Sequence, residues 1–516
     1  MPEIKDLPLI PGELTGAETI IVETADGTMR GTVADLVNIP AARIWGDQAE
    51  ARALGAMRRQ GGPIVSADDP ALWVKLGNRR APLMNRRGQL LAGTIAGTYG
   101  AALYLPGRTA TYHHESRRDT AYVFVGLGQS NQQGYNAVGG ELVGDAPIYP
   151  DNALMLSGGV RRAAGARGTS LVSLVEASDG PLQSTAMSGW VNHFIRDHEA
   201  GLGFNPTVVG FVAAIGGLPY MGLKRGTSAY SAFCEGLEDC VRLLRQRGFW
   251  RIVAVIDWMQ GETDTSDIAN MTATRYQSQL KQLARQLADD VTARTGNTET
   301  PVLFVDQIAM TVGGDPWTMP VRQAQVAIDG WDNIRQAGPI YCYPHVDDEM
   351  ALHLTSAGQT RRGQQLARAT LEEVLGSGWR GIRPIEAAFI SATQIRIDFD
   401  AQTAPIVLDT SGAVIATAGN ATHGFRFRDG SGAPPAISGV AAAGLSVTIT
   451  LAAPPTGPRP QIGYAIERNA GSADGGPLTG ARGTLRDSSA HESLYGDADQ
   501  SNWCPAFILD VQGRAA

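Results

Sequence analysis

Short apolar runs alternate with amphipathic segments through the middle of the chain, and this alternation predicts an α/β fold. Five runs have the continuous apolar character of strands that are buried on both faces. They lie at 121–126, 207–214, 251–256, 301–305 and 339–342. Between or after them, apolar residues recur at the three- and four-residue spacings of amphipathic helices. These patterns lie at 228–246, 270–294 and 356–375. Such alternation predicts a parallel sheet with helices on both faces, a three-layer domain.

The regions on either side of this segment have different sequence patterns. From about residue 380 onward, short β-branched runs are separated by Gly, Pro, Asp and Asn, which predicts an antiparallel β-sandwich. We therefore expect three domains: an N-terminal attachment-like accessory domain at 1–118, the α/β domain at 119–378 and the C-terminal β-sandwich at 379–516. The sandwich is a candidate for glycan binding or oligomerisation, although aromatic residues in such a domain are more typical of its core.

Composition and charge argue against several classes of protein. Hydrophobic residues make up 43% of the 516 positions and charged residues 18%, which suits packed domains and argues against disorder. The net charge of −8 and the small size of the basic cluster at 161–167 argue against nucleic acid as a partner. No apolar stretch is long enough for a membrane span and no secretory signal is visible, so we expect a soluble protein.

Metal-ligating patterns are absent from the sequence. The four cysteines contain no C-x-x-C pair, and His193 and His198 lie five positions apart, so they do not share one helix face. We interpret these two histidines as solvated or capping residues. The sequence therefore predicts no metal and no other cofactor.

Polar and glycine-rich segments follow the predicted strands, at the edge where a parallel sheet gathers its reactive groups. The first strand is followed by 129–131 (Gln-Ser-Asn), the second by 216–217 (Gly-Gly), the third by 260–262 (Gln-Gly-Glu), and the last by a loop that leads to His353. A serine, a glycine turn, a carboxamide and an imidazole supply the nucleophile, base and oxyanion donors that acyl transfer requires. The histidine additionally needs an acid to fix its tautomer.

These segments, in this order, resemble the SGNH hydrolases, and within them the sialate O-acetylesterase-like carbohydrate esterases. The segments are G-Q-S-N around Ser130, the glycines Gly216 and Gly217, W-x-Q-G-E-x-D from Trp258 to Asp264, and H-L-T from His353. The resemblance covers residues 120–376 and implies a flavodoxin-like sheet and a serine esterase that removes acetyl groups from sugars. It implies Ser130 as nucleophile and His353 as base. The Ser130 N–H, a glycine N–H and Gln260 would form the oxyanion hole.

The acid of the predicted triad departs from the family pattern. The family places an aspartate three residues before the histidine, where this chain has Met350. We predict Asp348 as the acid, with Glu349, Glu262 or a Ser–His dyad as alternatives. Asn131 and Glu262 are assigned supporting roles, and Glu262 is interpreted as a buried acid that ties loops together.

The pattern from Leu14 to Leu36 resembles the opening of bacteriophage tail-fibre and tailspike proteins. This resemblance implies a location in the virion tail, other tail proteins as partners and a homotrimer. With the esterase resemblance, it predicts an enzyme that removes O-acetyl groups from a bacterial surface polysaccharide. Two alternatives stay open: a cellular carbohydrate acetylesterase without a phage context, and a catalytically inactive glycan-binding adhesin.

Overall fold

The computed structural model describes most of residues 120–513 and the backbone of four strands nearer the N-terminus. Contacts divide the chain into two compact units, Met1–Ala110 and Thr111–Ala516. Within the second unit, the residues that are not described are 111–119, 137, 267–269, 298, 311–314, 348–350, 413, 416–420, 468–474, 479, 497–498 and 514–516.

Two antiparallel hairpins are described in the first unit. Strand β1 (Thr19–Thr24) pairs with β2 (Gly27–Thr32), and β3 (Pro70–Leu76) pairs with β4 (Arg79–Asn85). The remainder of residues 1–118, which includes much of the tail-like pattern, lies outside the described residues. The attachment-like N-terminal domain therefore stays a prediction.

A seven-stranded sheet forms the centre of the α/β region. Its strands are β5 (Thr120–Gly128), β6 (Ala153–Leu156), β7 (Leu171–Ser173), β8 (Thr207–Ala214), β9 (Arg251–Met259), β10 (Val302–Gln307) and β11 (Ile334–Pro339). They lie in the order β11-β10-β9-β5-β8-β6-β7, and all neighbours are parallel except β6 and β7. The predicted parallel sheet is confirmed, and β5, which is buried along its length, lies at its centre.

Helices cover both faces of this sheet. In chain order they are α1 (Ser130–Gln133), α2 (Met187–Leu202), α3 (Tyr220–Leu223), α4 (Ser228–Gln246), α5 (Glu262–Thr265), α6 (Ala273–Thr295), α7 (Pro320–Ala327) and α8 (Ser356–Val374). Successive side chains of a strand point to opposite faces of its sheet. In β5, Tyr122 and Phe124 belong to a core that includes α2 and α8, whereas Val123 and Val125 belong to a core that includes α4 and α6. The region therefore has the predicted three layers.

The predicted helix at 228–246 matches α4 at both ends, and the predicted start of α8 is also confirmed. The Thr355 side chain caps α8, because its Oγ1 accepts a hydrogen bond from the Gly358 N–H at 3.0 Å. This cap fixes where the helix begins, three residues after His353.

The fifth predicted strand is wrong in position. Residues Ile340–Cys342 form a 3₁₀ helix, and the strand is the preceding Ile334–Pro339. This strand lies at the edge of the sheet and carries polar side chains whose partners come from elsewhere in the fold. Arg335 Nε donates to Glu373 Oε1 of α8 at 2.9 Å. The strand therefore lacks the continuous apolar run that the sequence analysis used as its signal.

Helix α2, which the periodicity analysis did not predict, corrects the interpretation of His193 and His198 as solvated or capping residues. Both side chains are buried. His193 Nδ1 donates to the Gly189 carbonyl at 2.7 Å, and its Nε2 accepts from the Leu494 N–H at 3.0 Å. Burial lowers the pKa of His193 to about 4, so the ring is neutral at pH 7 and serves to pack the C-terminal region on α2.

The chain from Arg383 to Gln512 forms a second β region. Its strands are β12 (Arg383–Phe389), β13 (Gln394–Asp400), β14 (Ile406–Leu408), β15 (Phe425–Arg428), β16 (Ile437–Ala443), β17 (Ser446–Leu451), β18 (Gln461–Tyr464), β19 (Leu485–Asp487) and β20 (Phe507–Gln512). Seven of them form a sheet in the order β15-β18-β20-β12-β13-β17-β16, and β14 pairs with β19 separately. The pairings are antiparallel except between β12 and β20, so the predicted antiparallel character is confirmed.

Helices α2 and α8 approach closely where each carries a glycine. A Cβ atom added to Gly363 of α8 would overlap the backbone of Ala186 and Trp190, and one added to Gly189 of α2 would overlap the Thr360 carbonyl. Backbone cannot move aside as a flexible side chain can, so this crossing requires glycine.

We expect Gly363→Ala to destabilise the protein by about 1 to 3 kcal/mol, the range for overpacking a tight contact. Gly201→Ala is the matched control, because a Cβ at Gly201 of α2 meets no atom within 4 Å. The control should be neutral or stabilising by up to about 1 kcal/mol, since alanine favours a helix over glycine. Urea unfolding of both variants measures the difference. Equal midpoints would contradict the close crossing.

Candidate active site

The nucleophile of the predicted site lies directly after the central strand. A Cβ at Gly128 would overlap the Met259 carbonyl, so the glycine lets β5 and β9 stay close at their ends. The Gln129 N–H donates to that same carbonyl at 3.1 Å. Ser130 then begins α1, and its side chain lies at the carboxyl edge of the sheet, where it is 9% exposed.

The structure brings Ser130 and His353 together. His353 Nε2 lies 3.0 Å from Ser130 Oγ, within hydrogen-bonding distance. The loop that carries His353 folds back on itself, because the Val346 N–H donates to the His353 carbonyl at 2.8 Å. The ring of Tyr135 packs against the imidazole with centroids 4.7 Å apart. This pair has the geometry of a nucleophile and its general base.

The predicted acid, Asp348, and its alternative Glu349 lie outside the described residues. The third candidate, Glu262, is buried, and its Oε1 accepts a hydrogen bond from Asn131 Nδ2 at 3.0 Å. Burial raises the pKa of Glu262 to about 6, although the Asn131 hydrogen bond and the charge of Arg362 both act to lower it. Glu262 therefore bonds to Asn131, and it fits the sequence-based interpretation as a buried acid that links loops by hydrogen bonds.

The predicted oxyanion donors have different surroundings. The Ser130 N–H is at the first turn of α1, where a helix has no acceptor of its own. The Gly216 N–H donates to Gln133 Oε1 at 2.8 Å and is therefore engaged. A Cβ at Gly216 would lie 3.4 Å from Ser130 Cβ, so the glycine pair directly adjoins the nucleophile. Gly217 is exposed and has a φ of +72°, a conformation that favours glycine.

Gln260 is not placed as an oxyanion donor. Its side chain is fully buried, and its Nε2 donates to Asp264. Its Oε1 accepts from the Tyr276 hydroxyl at 2.7 Å, and the same hydroxyl contacts the Gln260 carbonyl at 2.9 Å. Both ends of the carboxamide are engaged within the protein, so Gln260 stabilises the loop beneath the site. Of the predicted donors, the Ser130 N–H remains as a backbone donor beside the nucleophile.

Residues that the sequence analysis did not select also shape the site. The Gln133 side chain connects α1 to the glycine turn, because its Nε2 donates to the Ala214 carbonyl at 2.9 Å.

Deeper in the fold, Arg362 of α8 contacts Asp257 of β9 and Asp306 of β10, and all three side chains are buried. Burial raises the pKa of Asp257, which shares this guanidinium with a second carboxylate. The available signal was an aspartate directly after each of two apolar runs, at 257 after 251–256 and at 306 after 301–305.

The arrangement supports acyl transfer through a covalent intermediate. As Ser130 Oγ attacks the acyl carbon, its proton passes to His353 Nε2, and the oxyanion accepts a hydrogen bond from the Ser130 N–H. The imidazolium then protonates the leaving alcohol. A water molecule, deprotonated by the same imidazole, releases the acid from the acyl-enzyme.

Among the described residues, none of the helices is long and apolar enough to cross a membrane. In the same part of the chain, no group of three or more His, Cys, Asp or Glu side chains could hold a metal ion.

Residues 120–372 match the model of the family described as SASA, carbohydrate esterase, sialic acid-specific acetylesterase. No curated protein matches the chain. A carbohydrate acetylesterase from Xanthomonas citri has a similar structure, with 16% identity, a TM-score of 0.48, and coverage of 76% of this chain and 80% of that one. A protein from Arabidopsis thaliana has 22% identity, a TM-score of 0.35, and coverage of 49% and 98%. Residues 120–372 are similar to a carbohydrate esterase family, and together with the Ser130–His353 geometry this similarity identifies the protein as an esterase.

We expect Ser130→Ala and His353→Ala each to lower kcat for p-nitrophenyl acetate by about a thousandfold or more, because each removes one half of the reacting pair. The double variant should be no slower than either single variant, since the two groups act as a unit. Ser266→Ala, at an exposed serine after α5, is the matched control and should keep wild-type activity. Losses that multiply in the double variant would contradict the pairing.

Proposed function

We propose that this esterase removes O-acetyl groups from a carbohydrate, and that its substrate is an O-acetylated bacterial surface polysaccharide. The observation that carries the proposal is the 3.0 Å contact between Ser130 Oγ and His353 Nε2 inside the region that matches a carbohydrate esterase family. The glycine turn next to Ser130 supports it, because an acyl group needs open space beside the nucleophile. The same contact disfavours the inactive-adhesin alternative.

Acetate release from a panel of O-acetylated polysaccharides tests this function. The wild-type protein should release acetate from at least one of them, and Ser130→Ala should release none above the rate without enzyme. Chemically deacetylated samples of the same polysaccharides control for acetate from other sources. If Ser130→Ala matched the wild type, or if the wild type cleaved only p-nitrophenyl acetate, the carbohydrate substrate would be rejected.

We further propose that the enzyme works as part of a phage tail and assembles as a homotrimer. This proposal is supported by the tail-like pattern from Leu14 to Leu36, which includes the hairpin of β1 and β2. A cellular acetylesterase without a phage context is the alternative.

Light scattering of the purified full chain tests the assembly. A trimer should have three times the 54.6 kDa mass of one chain. A monomer would contradict the trimer and favour the cellular alternative. Immunogold labelling of virions from a producing strain would then separate a tail component from a free enzyme.

A further inference from the structure

Asn131, the residue that follows the nucleophile, contacts the backbone on both sides of His353. Its Nδ2 donates to the Leu352 carbonyl at 3.1 Å, and its Oδ1 accepts from the Leu354 N–H at 3.1 Å. Its own carbonyl accepts from Gln359 Nε2 at 2.6 Å, in the first turns of α8. The main chain that carries the imidazole is therefore held by the residue bonded covalently to Ser130.

Glu262 determines which way the Asn131 carboxamide faces. A half-turn of this group would exchange its oxygen and nitrogen, and the two orientations have similar shapes. In the observed orientation, Nδ2 donates both to the Leu352 carbonyl and to Glu262 Oε1. After a half-turn, Oδ1 would face these two acceptors and Nδ2 would face the Leu354 N–H. Asn131 is fully buried, so water could not compensate the lost hydrogen bonds.

We propose that Asn131 and Glu262 are positioning residues that hold His353 Nε2 within bonding distance of Ser130 Oγ. This role rests on the proposed esterase function. Asn131 acts on the backbone at Leu352 and Leu354, and Glu262 acts through Asn131. Glu262 therefore differs from a triad acid, which would contact the imidazole itself.

The proposal concerns the rate of the chemical step and not the binding of substrate. His353 must accept a proton while Ser130 attacks, and a displacement of about 1 Å between reacting groups can cost about a hundredfold in rate. Neither Asn131 nor Glu262 has an exposed surface for substrate, since both side chains are buried. Loss of either contact should therefore lower kcat and leave KM unchanged.

Steady-state hydrolysis of p-nitrophenyl acetate by Asn131→Ala and Glu262→Ala tests this expectation. We expect kcat to fall about 10- to 100-fold in each variant, with KM unchanged. Glu262→Gln keeps an acceptor oxygen for Asn131 Nδ2 and should retain most of the wild-type kcat. Glu386→Ala, at an exposed glutamate of β12, is the matched control and should behave as wild type.

The same substitutions in a His353→Ala background separate positioning from a general structural effect. If both residues act through His353, they should not lower the residual rate further when His353 is absent. An equal loss in that background would overturn the proposal. The proposal would also be overturned if Glu262→Gln had the melting temperature of the wild type but a kcat as low as that of Glu262→Ala. That result would mean that an acceptor oxygen for Asn131 Nδ2 is not enough to restore the rate.

Asn131→Asp keeps the shape of the side chain, so it allows the test to be made even if Asn131→Ala does not fold. It replaces the donor that faces Leu352 and Glu262 with an oxygen, so its kcat should be as low as that of Asn131→Ala. Wild-type kcat in Asn131→Asp would overturn the positioning role. A wild-type protein with no activity toward any ester would instead reject the proposed function, so the two failures are distinguishable.

Discussion

The hydrogen bond between Ser130 and His353 joins residues 223 positions apart, and the rest of the α/β region is required to form it. Ser130 follows the central strand β5, whereas the loop to His353 begins after β11 at the edge of the sheet. Strands β9 and β10 lie between these two and set the distance that the loop must span. Helix α8 then packs back on α2 and fixes the other end of the loop. The distance between Ser130 and His353 therefore depends on all the strands that lie across the sheet from β5 to β11.

Buried charge beneath the site reinforces this dependence. Arg362 reaches from α8 to Asp257 and Asp306, which lie on the neighbouring strands β9 and β10. Burying a guanidinium costs its hydration, and here two carboxylates compensate that loss, which favours a position of α8 that keeps Arg362 between these strands. Because α8 begins three residues after His353, the ion cluster also limits where the imidazole can lie.

The sequence could locate the reacting pair but not all of the groups around it. Ser130 and His353 were predictable because each is a polar residue in a recognisable segment at the edge of a parallel sheet. The orientation of Gln260 was not predictable, because its partners Asp264 and Tyr276 are set by the packing of the loop and of α6. The link from Asn131 to the His353 loop depends likewise on residues more than two hundred positions away.

Strand β11 shows the same limit at the level of secondary structure. Periodicity detects strands whose neighbours on both faces are apolar, and it placed the strand in the apolar run that follows β11. The strand itself lies at the sheet edge, beside elements that contact the C-terminal region. Tyr341, in the 3₁₀ helix after β11, donates to the Cys504 carbonyl at 2.7 Å. On β10, Gln307 exchanges two hydrogen bonds with the backbone of Ala506, at 2.7 and 2.8 Å.

These contacts give the C-terminal β region a part in the geometry of the site. They hold β10 and the start of the segment that leads to His353. A further contact comes from α7, where the Arg322 side chain donates a hydrogen bond to the Ala465 carbonyl at 3.0 Å. Arg322 is fully buried, and that burial lowers its pKa to about 10, which still leaves the guanidinium charged at pH 7. The following β region thus contacts β10, α7 and the 3₁₀ helix from which the loop to His353 continues.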